Sequence, residues 1–297
     1  MSKRGPFAAG DRVQLSDAKG RLHSLTLQVG GSFHTHRGGI PHDDIIGLPE
    51  GSIVTSAGGT DYLCLRPLLL DHVLAMPRGA AVIYPKDSAQ IVTNADVFPG
   101  AVVVEAGVGS GGLSGYLLRA VGERGELHSF ERRDDFAATA QRNVASFLGE
   151  APANWHVRVG DLQDELPRLP ELQGRVDRVI LDMLAPWECL DAVEAAIVPG
   201  GVLCTYIATT TQMSKFVEIL RLRRAWTEPR AWESLVRTWH LEGLAVRPDH
   251  RMIGHTGFLV TARRMAPGVQ PFVRRTKPAK GAYGDDYVQP DVGTDTP

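Results

Sequence analysis

The segment that most constrains the fold is a strand-like run that ends in a glycine-rich turn, VVVEAGVGSGGLS, from Val102 to Ser114. Continuous apolar runs are typical of buried strands in parallel sheets, because helices cover both faces of such sheets. Glycines adopt positive φ angles, and a helix that begins near Leu113 would direct free N–H groups at the turn. This order of strand, turn and helix predicts a nucleotide-type pocket at the carboxyl end of a sheet.

Two nucleotide-binding motifs fit this turn. Gly107, Gly109 and Gly112 satisfy the dinucleotide pattern G-x-G-x-x-G, which on its own is a weak indication of an NAD-dependent dehydrogenase. The stretch from Glu105 to Gly111 also fits E-x-G-x-G-S-G and resembles the first motif of S-adenosylmethionine (AdoMet) methyltransferases. In that family, the acid before the first glycine lies near the cationic methionine end of the cofactor. A turn that only packs a helix on a strand is the simplest alternative.

Acidic residues end the next three predicted strands. Glu131 follows LHSF, Asp161 follows WHVRVG and Asp182 follows VDRVIL. An acid at the position of Glu131 can accept hydrogen bonds from both ribose hydroxyls, in a dehydrogenase or in a methyltransferase. Asp161 is placed to receive the adenine amino group of the cofactor, or simply caps the following turn. Asp182 is expected to project toward the transferred methyl group.

The order of elements predicts an α/β fold with a Rossmann-like methyltransferase sheet. Helical stretches separate five strands, and Asp134 is expected to cap one of the helices. Two later apolar runs, RTWHLEGLAVR and HTGFLVTARRM, predict a terminal antiparallel hairpin. Five β/α steps followed by a hairpin suit an AdoMet methyltransferase better than a six-stranded dinucleotide fold.

The flanking segments complete a predicted division into three parts. Residues 1–70 predict a small N-terminal β domain, because short alternating runs are separated by turn residues. Residues 71–265 predict the catalytic domain, and residues 266–297 predict a flexible tail that is rich in proline, glycine and charge. Within VIYPKD, Tyr84 is either a half-buried aromatic at a docking element or a lip over the pocket.

The metal-ligating residue types do not predict a metal site. One loop, FHTHRGGIPHDDIIG, contains five of them: His34, His36, His42, Asp43 and Asp44. Its H-x-H pair has no matching second pair, so we expect local hydrogen bonding or a subunit contact instead. The cysteines are odd in number and widely spaced: Cys64, Cys189 and Cys204. They predict small buried hydrophobic side chains in a reducing cytoplasm.

The overall charge gives no indication of nucleic-acid binding. The net charge is −2 and the isoelectric point is near 6.6, so contact with RNA would need a local basic surface. The candidate basic residues come late in the chain: Arg221, Arg223, Arg224, Arg247, Arg251, Arg263 and Arg264. No apolar run approaches a membrane span and the N-terminus lacks a signal-peptide core, so we expect a cytoplasmic protein without membrane contact.

As a whole, the chain resembles the bacterial, especially actinobacterial, tRNA (adenine(58)-N(1))-methyltransferases. The resemblance rests on GPFAAGDRVQL, FHTHRGGI, VIYPKD, EAGVGSGGLS, LDMLAPWE and GHTGFLV, and covers about Gly5 to Pro267. It implies transfer of a methyl group from AdoMet to N1 of the T-loop adenine of tRNA, with S-adenosylhomocysteine as the product. It further implies a tRNA partner, a homotetramer and no metal.

The resemblance also assigns roles to particular residues. Asp182 would border both the cofactor and the target base, and Tyr84 matches the aromatic residue beside the target adenine; these two are the implied catalytic residues. The implied cofactor-binding residues are Glu105, Gly107, Gly109, Ser110, Gly111, Gly112, Leu113, Glu131, Asp161 and Asp182. Val108 departs from the relatives, which often carry alanine or threonine there.

Other classes stay open at the level of sequence. An AdoMet-dependent methyltransferase acting on a protein or a small molecule would share the cofactor residues but would not need YPKD or LDMLAPW. A non-catalytic tRNA-binding subunit of the same fold would typically have lost the glycine loop or the strand-end acids, which are all present. An NAD-dependent dehydrogenase is the most distant alternative.

Overall fold

The computed structural model describes residues 5–79 and 81–272, so the predicted tail lies outside the described residues from residue 273 onward. The described part begins with six short strands: β1 (Arg12–Asp17), β2 (Leu22–Thr26), β3 (Ser32–Thr35), β4 (Gly38–Pro41), β5 (Ile53–Thr55) and β6 (Asp61–Leu65). Four of them form an antiparallel sheet in the order β2-β1-β6-β5, and β3 pairs with β4. Alternate side chains such as Tyr62 and Cys64 point into a separate apolar core, as the alternating sequence predicts.

Helices and strands alternate through most of the remaining chain. The elements are α1 (Leu69–Ala75), α2 (Pro85–Asn94), β7 (Val102–Ala106), α3 (Gly112–Val121), β8 (Glu126–Glu131), α4 (Asp134–Leu148), β9 (Trp155–Val159), α5 (Leu162–Glu165), β10 (Val176–Asp182), α6 (Leu190–Ala196), β11 (Ile197–Ile207), α7 (Thr210–Arg223), β12 (Arg230–Trp232), β13 (Trp239–Glu242), β14 (Ala245–Pro248) and β15 (Phe258–Arg263). The main sheet has the order β12-β15-β11-β10-β7-β8-β9. Its five strands from β11 to β9 are parallel, whereas β15 runs antiparallel to both β11 and β12. The predicted Rossmann-like methyltransferase sheet is therefore confirmed.

The central strand β7 is buried on both faces, which explains its uninterrupted apolar sequence. Successive side chains point to opposite faces, so Val102 and Val104 pack in one layer with Phe216 of α7. Val103 packs in the other layer with Leu117 of α3. These two layers of helices bury the parallel sheet and leave the carboxyl ends of its strands along one edge.

The pairing at the end of the sheet differs from the prediction. Strand β15 pairs with β12 rather than with the run from Arg237 to Arg247. That run instead supplies β13 and most of β14, which form their own hairpin around Gly243. A two-residue connection closes a hairpin at low entropic cost, so local pairing wins over pairing with a distant segment.

Two smaller features concern the edges of the predicted elements. Asp134 is the first residue of α4 and not its cap; Arg133 occupies the capping position, without a side-chain cap. The predicted boundary between residues 70 and 71 stays a prediction, and α1 spans it while packing against Tyr116 of α3. Within residues 5–79 and 81–272, none of the helices combines the length and apolarity that a membrane crossing requires.

Candidate active site

The glycine loop between β7 and α3 is shaped by close approach to a neighbouring strand. Gly107 has a φ of 84°, and a Cβ atom there would lie 1.8 Å from the backbone oxygen of Asp182. Only glycine fits both constraints. Asn143 of α4 donates from Nδ2 to the backbone oxygen of Ser110 at 2.9 Å, and α3 begins with Gly112 and the buried Leu113. The loop is therefore fixed between β10 on one side and α4 on the other.

Glu105 is a fully buried carboxyl group at the base of this loop. Its Oε2 accepts hydrogen bonds from the hydroxyls of Ser114 at 2.8 Å and Ser129 at 2.7 Å. Its Oε1 and the hydroxyl of Ser110 are buried and have no hydrogen-bond partner within the described residues. Burial raises the pKa of Glu105 to about 7, against the opposing effect of the two hydroxyls. Unpartnered buried acceptors favour a ligand group that can donate to them.

Glu131 and Asp161 follow the next two strands of the sheet. Glu131 is nearly buried, and its carboxylate accepts from the backbone N–H of Gly109 at 2.9 Å and of Arg133 at 3.1 Å. Each of its oxygens keeps a second lone pair, so further hydroxyl donors can bind. Asp161 is more open, and Arg132 lies 2.9 Å from its Oδ1. Glu131 therefore lies beside the glycine loop, and Asp161 caps α5 just after β9, the neighbouring strand; the sequence predicts these two acids to hold the ribose and adenine groups of a nucleotide.

Asp182 ends β10 beside the glycine loop. It is half-buried, and burial raises its pKa to about 7, with the charge of Glu131 acting in the same direction. In the sheet, Asp182 stands opposite Tyr206, the penultimate residue of β11. A carboxyl group with a pKa near neutral, at the carboxyl edge of a parallel sheet, is a candidate for contact with reacting groups.

Two tyrosines belong to the same region as Asp182. Tyr84 is half-buried and caps α2, with Pro85 as the first helical residue. Tyr206 donates its hydroxyl to the backbone oxygen of Thr256 at 2.6 Å. Burial raises the pKa of Tyr206 to about 12, and Asp182 and Tyr84 are close enough to add smaller effects in the same direction. The sequence did not single out Tyr206, because an aromatic residue near a strand end is most simply explained by packing.

A buried ion pair lies directly after Tyr84. Lys86 Nζ is 2.8 Å from Asp87 Oδ1, and both side chains are almost inaccessible to water. The pair bonds with Ser234 and Thr256, which are distant in the chain. Sequence reasoning used YPKD and GHTGFL only as parts of a family resemblance. No local pattern could have shown that these two motifs touch.

One group of described residues lies close enough to hold a metal ion: Glu126, His128 and His156, whose ligand atoms are within 4.8 Å of one another. Two arginines already bind residues of this group. Arg158 Nη1 lies 3.3 Å from His128 Nδ1, and the Nε2 of the same ring lies 3.0 Å from Glu126. Arg175 also binds Glu126. A ring protonated at Nε2 satisfies these contacts, so the two guanidinium groups supply the positive charge that a metal would bring.

The residues that the sequence considered for metal or disulfide chemistry have other environments. His42 is buried and its Nδ1 accepts from the backbone N–H of Gln28 at 3.0 Å, which is the local hydrogen bonding expected for this loop. Burial raises the pKa of each cysteine thiol. The cysteines are buried and unpaired, as predicted: Cys64, Cys189 and Cys204.

The structure narrows the candidate basic surface. Four of the seven arginines bind groups of their own chain: Arg221, Arg223, Arg263 and Arg264. Arg224, Arg247 and Arg251 are exposed, and within residues 5–79 and 81–272 they have no side-chain hydrogen bond or ion pair. Arg247 lies in the hairpin of β13 and β14 opposite His240. These three arginines are the ones available to a phosphate backbone.

Two solved structures are similar over nearly their whole length. A SAM-dependent O-methyltransferase from Thermotoga maritima has a TM-score of 0.82 and 29% identity, and the match covers 89% of this chain and 96% of that one. The tRNA (m1A58) methyltransferase TrmI from Aquifex aeolicus has a TM-score of 0.76 and 26% identity, with 88% and 100% covered. Together with the acid-flanked glycine loop, this fold defines a class I AdoMet-dependent methyltransferase.

Sequence comparison is more specific. The model of the TrmI-like N-terminal region matches residues 5–54, and that of the tRNA methyltransferase complex GCD14 subunit matches residues 65–245. The tRNA (adenine(58)-N(1))-methyltransferase TrmI of Thermus thermophilus is 36% identical over 255 residues, covering 84% of this chain and 95% of that protein. The tRNA (adenine(57)-N(1)/adenine(58)-N(1))-methyltransferase TrmI of Methanocaldococcus jannaschii is 28% identical, covering 84% and 93%. The chain belongs to the GCD14/TrmI family of tRNA methyltransferases, which confirms the family predicted from its sequence.

Proposed function

We propose that this protein transfers a methyl group from AdoMet to N1 of adenine 58 in the T-loop of tRNA. The observation that carries the proposal is the position of Asp182, which lies against the glycine loop on one side and beside Tyr206 on the other. The carboxyl group of Asp182 would then lie between a cofactor site and an acceptor site, in a chain of the tRNA methyltransferase family.

The residues around the glycine loop fit AdoMet. The buried, unpartnered Oε1 of Glu105 and hydroxyl of Ser110 suit the charged methionine end of this cofactor. Glu131 would accept hydrogen bonds from the ribose hydroxyls, and Asp161 would face the adenine. When bound, AdoMet supplies an activated sulfonium methyl group. The backbone of Gly107, Gly109, Gly111 and Gly112, together with Leu113, would line the cavity that holds it.

Methylation of adenine N1 requires the base to be positioned and does not require the removal of a proton. Adenine N1 already carries a lone pair, so its attack does not need a general base. Positive charge develops on the ring, and Asp182 accepting a hydrogen bond from the exocyclic amine would stabilise that charge. Electrostatic assistance of this kind contributes about 10² to 10³ in rate. Tyr84 would hold the plane of the base in line with the methyl group.

The target base must leave the tRNA interior to reach Asp182. Adenine 58 is paired within the tRNA elbow, and enzymes that modify a paired base extrude it into a pocket. An aromatic side chain such as Tyr84 compensates for the lost stacking of the base. A fluorescent adenine analogue at position 58 is expected to brighten on binding to Tyr84→Ala, in which no tyrosine ring restacks the base; unchanged fluorescence with this variant would mean that the base stays in the tRNA stack.

We also propose a cytoplasmic homotetramer that needs no metal. Support for assembly comes from the hairpin of β13 and β14, where directly opposed residues share a face. Leu241 opposes Val246, and Trp239 opposes Pro248. The side chains of Leu241, Val246 and Trp239 are exposed. An exposed apolar face of this kind is typical of a protein interface. Activity that persists in excess chelator would support the metal-free mechanism.

The decisive experiment is methyl transfer from labelled AdoMet to unmodified tRNA, with the modified nucleotide mapped. We expect 1-methyladenosine at position 58, and strongly reduced transfer by Asp182→Ala. The matched control is Asp164→Ala, an exposed carboxylate of α5 without a side-chain hydrogen bond among the described residues. AdoMet binding without methylation of tRNA would refute the proposed acceptor.

A second candidate is methylation of a hydroxyl group, which the similarity to the Thermotoga maritima structure favours. An alcohol must lose its proton when it accepts a methyl group, so Asp182 would then act as a general base. Nucleoside mass spectrometry separates the two candidates, because methylation of a ribose and of adenine N1 gives different products. The same map shows whether adenine 57 is also modified.

A further inference from the structure

The Lys86–Asp87 pair is deeply buried, and the proposed roles of Asp182 and Tyr84 do not explain its burial. The exposed fractions of the two side chains are 7% and 1%. Lys86 Nζ donates to both carboxylate oxygens of Asp87, at 2.8 and 3.0 Å. Adjacent residues of opposite charge do not bury themselves in this way unless other groups complete their hydrogen bonds.

Two residues far along the chain complete those hydrogen bonds. Lys86 Nζ donates to the backbone oxygen of Ser234 at 2.7 Å and to the hydroxyl of Thr256 at 2.6 Å. The hydroxyls of Ser234 and Thr256 in turn donate to the two oxygens of Asp87, at 2.7 and 2.6 Å. Residues 233–257, which we call the strap, are therefore tied near both ends to the first turn of α2.

The same contacts reach the acceptor side of the candidate active site. Tyr206 donates to the backbone oxygen of Thr256 at 2.6 Å. A Cβ atom on Gly257 would lie 2.4 Å from the ring of Tyr206, so the strap presses directly on that ring. Tyr84 precedes the ion pair by two residues. The network thus contacts Tyr206, which stands opposite Asp182, and it holds the first turn of α2, which Tyr84 caps.

Stability alone does not account for a buried pair of this kind. Replacing a buried ion pair by apolar residues of similar size is often neutral or stabilising, whereas removing one partner is costly. A charge pair with every hydrogen bond satisfied does specify one geometry, because a displaced strap would leave the charges unpartnered.

We propose that Lys86 and Asp87 are positioning residues that hold the strap against α2, so that Tyr84 and Tyr206 keep the arrangement that the acceptor base needs beside Asp182. The assignment of the base rests on the proposed function. Among the described residues, Lys86 and Asp87 form no hydrogen bond or ion pair with Glu105, Glu131 or Asp161, so we expect the affinity for AdoMet to be independent of the pair.

The sharpest test changes Thr256, because its side chain bridges both charges without being charged itself. Thr256→Val keeps the shape and removes the hydroxyl, whereas Thr256→Ser keeps the hydroxyl. The loss of a hydrogen bond to a charged group predicts a fall in kcat for tRNA of about tenfold or more in Thr256→Val. Thr256→Ser should stay within about twofold of the wild type, and all variants should bind AdoMet equally.

A matched control is Thr205→Val. Thr205 is fully buried in β11 next to Tyr206, but its hydroxyl has no partner within the described residues. We expect unchanged kcat and AdoMet affinity. If Thr205→Val and Thr256→Val lower kcat equally, or if Thr256→Val leaves kcat unchanged, the positioning role is wrong.

The charged residues themselves give a second test. Lys86→Met leaves the buried Asp87 uncompensated and should lower the melting temperature, whereas Lys86→Met with Asp87→Leu should recover most of it. The double variant should still have low kcat, because the apolar pair cannot hold Ser234 and Thr256 in one place. Wild-type kcat in a stable double variant would overturn the proposal.

Hydrogen exchange separates a failed positioning role from a failed function. Amides of the strap are expected to exchange faster in Thr256→Val than in the wild type, while those of β7 and β10 stay unchanged. This outcome requires no tRNA, so it can support the network even if wild-type protein does not methylate tRNA. Methylation by the wild type with unchanged strap exchange and unchanged kcat in Thr256→Val would refute the positioning role alone.

Discussion

Glu105 and Asp182 are carboxyl groups whose pKa values are raised by the same cause, burial, in different surroundings. Glu105 is enclosed and accepts two hydroxyl hydrogen bonds, so its remaining oxygen can be satisfied only by a ligand or a proton. Asp182 is open enough to meet an acceptor. The surroundings of Glu105 therefore suit binding of the cofactor, and those of Asp182 suit contact with the reacting base.

The pH dependence of activity is expected to follow Asp182. Only the ionised form of Asp182 can accept a hydrogen bond from the exocyclic amine of the target adenine on either oxygen. As the pH rises through the pKa of Asp182, near 7, kcat/KM should therefore increase, and below this pKa it should fall by up to tenfold per pH unit. Asp182→Asn keeps one acceptor oxygen but does not titrate. We expect a slower enzyme whose kcat/KM is flat across this range; an unchanged slope in the variant would assign the titration to another group.

Glu105 is expected to make the unliganded protein less stable as the pH rises. Its pKa is about 7 in the folded state against an ordinary value of 4.5, so the folded state holds a proton that the unfolded state has lost between these values. This contribution to stability is complete below about 4.5, falls with rising pH, and is lost above about 7, by on the order of 3 kcal/mol.

Glu105→Gln should remove that loss, because the amide does not ionise. Urea unfolding of the wild type and the variant at pH 5 and pH 8 measures the difference directly. The exposed Glu123 gives a control, since Glu123→Gln should leave the pH dependence as it is. The same Glu105→Gln variant should bind AdoMet more weakly, as measured by calorimetry.

At the scale of elements, the sequence predicted what depends on local order and missed what depends on distant contacts. The apolar strand β7, the glycine turn and the strand-end positions of Glu131 and Asp182 follow from periodicity and turn chemistry. Strand β12 and its pairing with β15 could not be predicted from the sequence, because β12 is an edge strand of only three residues. A short strand carries too little pattern to be distinguished from a loop.

In the candidate site as well, the sequence predicted the residues that follow a local pattern and missed the contacts between distant residues. The acids and glycines of the cofactor side carry recognisable spacing, and their predicted roles stay predictions that mutation can test. The contacts of Lys86, Asp87 and Thr256 could not be predicted, since each residue alone fits an exposed turn. The pairing of Arg223 with Asp191 and Glu194 was equally hidden, because helix-to-helix contacts are absent from the local sequence.

Gly107→Ala is expected to displace β10 from the glycine loop. The added Cβ atom would overlap the backbone oxygen of Asp182, so the loss of stability should exceed about 3 kcal/mol, with loss of AdoMet binding. Gly149→Ala is the control: Gly149 ends α4 in the left-handed conformation, with a φ of 94°, but a Cβ atom there would meet nothing within 4 Å. Its cost should stay near 1 to 2 kcal/mol, about that of the left-handed backbone alone. Equal losses in urea unfolding would show that close approach does not matter at Gly107.

At the scale of the whole molecule, the hairpin of β13 and β14 presents two chemically different faces. Leu241 and Val246 lie on one face, whereas His240 and Arg247 lie on the other. A two-stranded hairpin is marginally stable by itself, so the surroundings of its two faces matter. The apolar face suits a second copy of the chain. On the other face Glu242 lies 3.4 Å from His240, which leaves Arg247 as the side chain that suits phosphate.

Arg247 and Arg251 are expected to contribute to tRNA binding through charge. Removing one phosphate contact should weaken binding to every tRNA and reduce the slope of log K against log salt by about 1. Filter binding at several salt concentrations measures this slope for Arg247→Ala and Arg251→Ala. Arg223→Ala serves as the control, since its guanidinium is already paired with Glu194. An unchanged slope in all three variants would place the RNA elsewhere.

The apolar face of the hairpin is expected to support the proposed tetramer. Leu241→Asp places a charge on a side chain that is 73% exposed in one chain, so folding should be little affected. If this face is covered by another copy, the variant should sediment as a smaller species. An unchanged sedimentation coefficient would mean that the copies meet through another surface.

The contacts of Lys86 also set an order of events during folding. Lys86 is separated from Ser234 by 148 positions and from Thr256 by 170, whereas Glu105 reaches Ser114 and Ser129 across 9 and 24. Contacts across long stretches of chain form slowly, because large loops must close first. We therefore expect the contacts of Glu105 on the cofactor side to form earlier in folding than those of the strap, so that docking of the strap determines when the folded chain can receive a substrate.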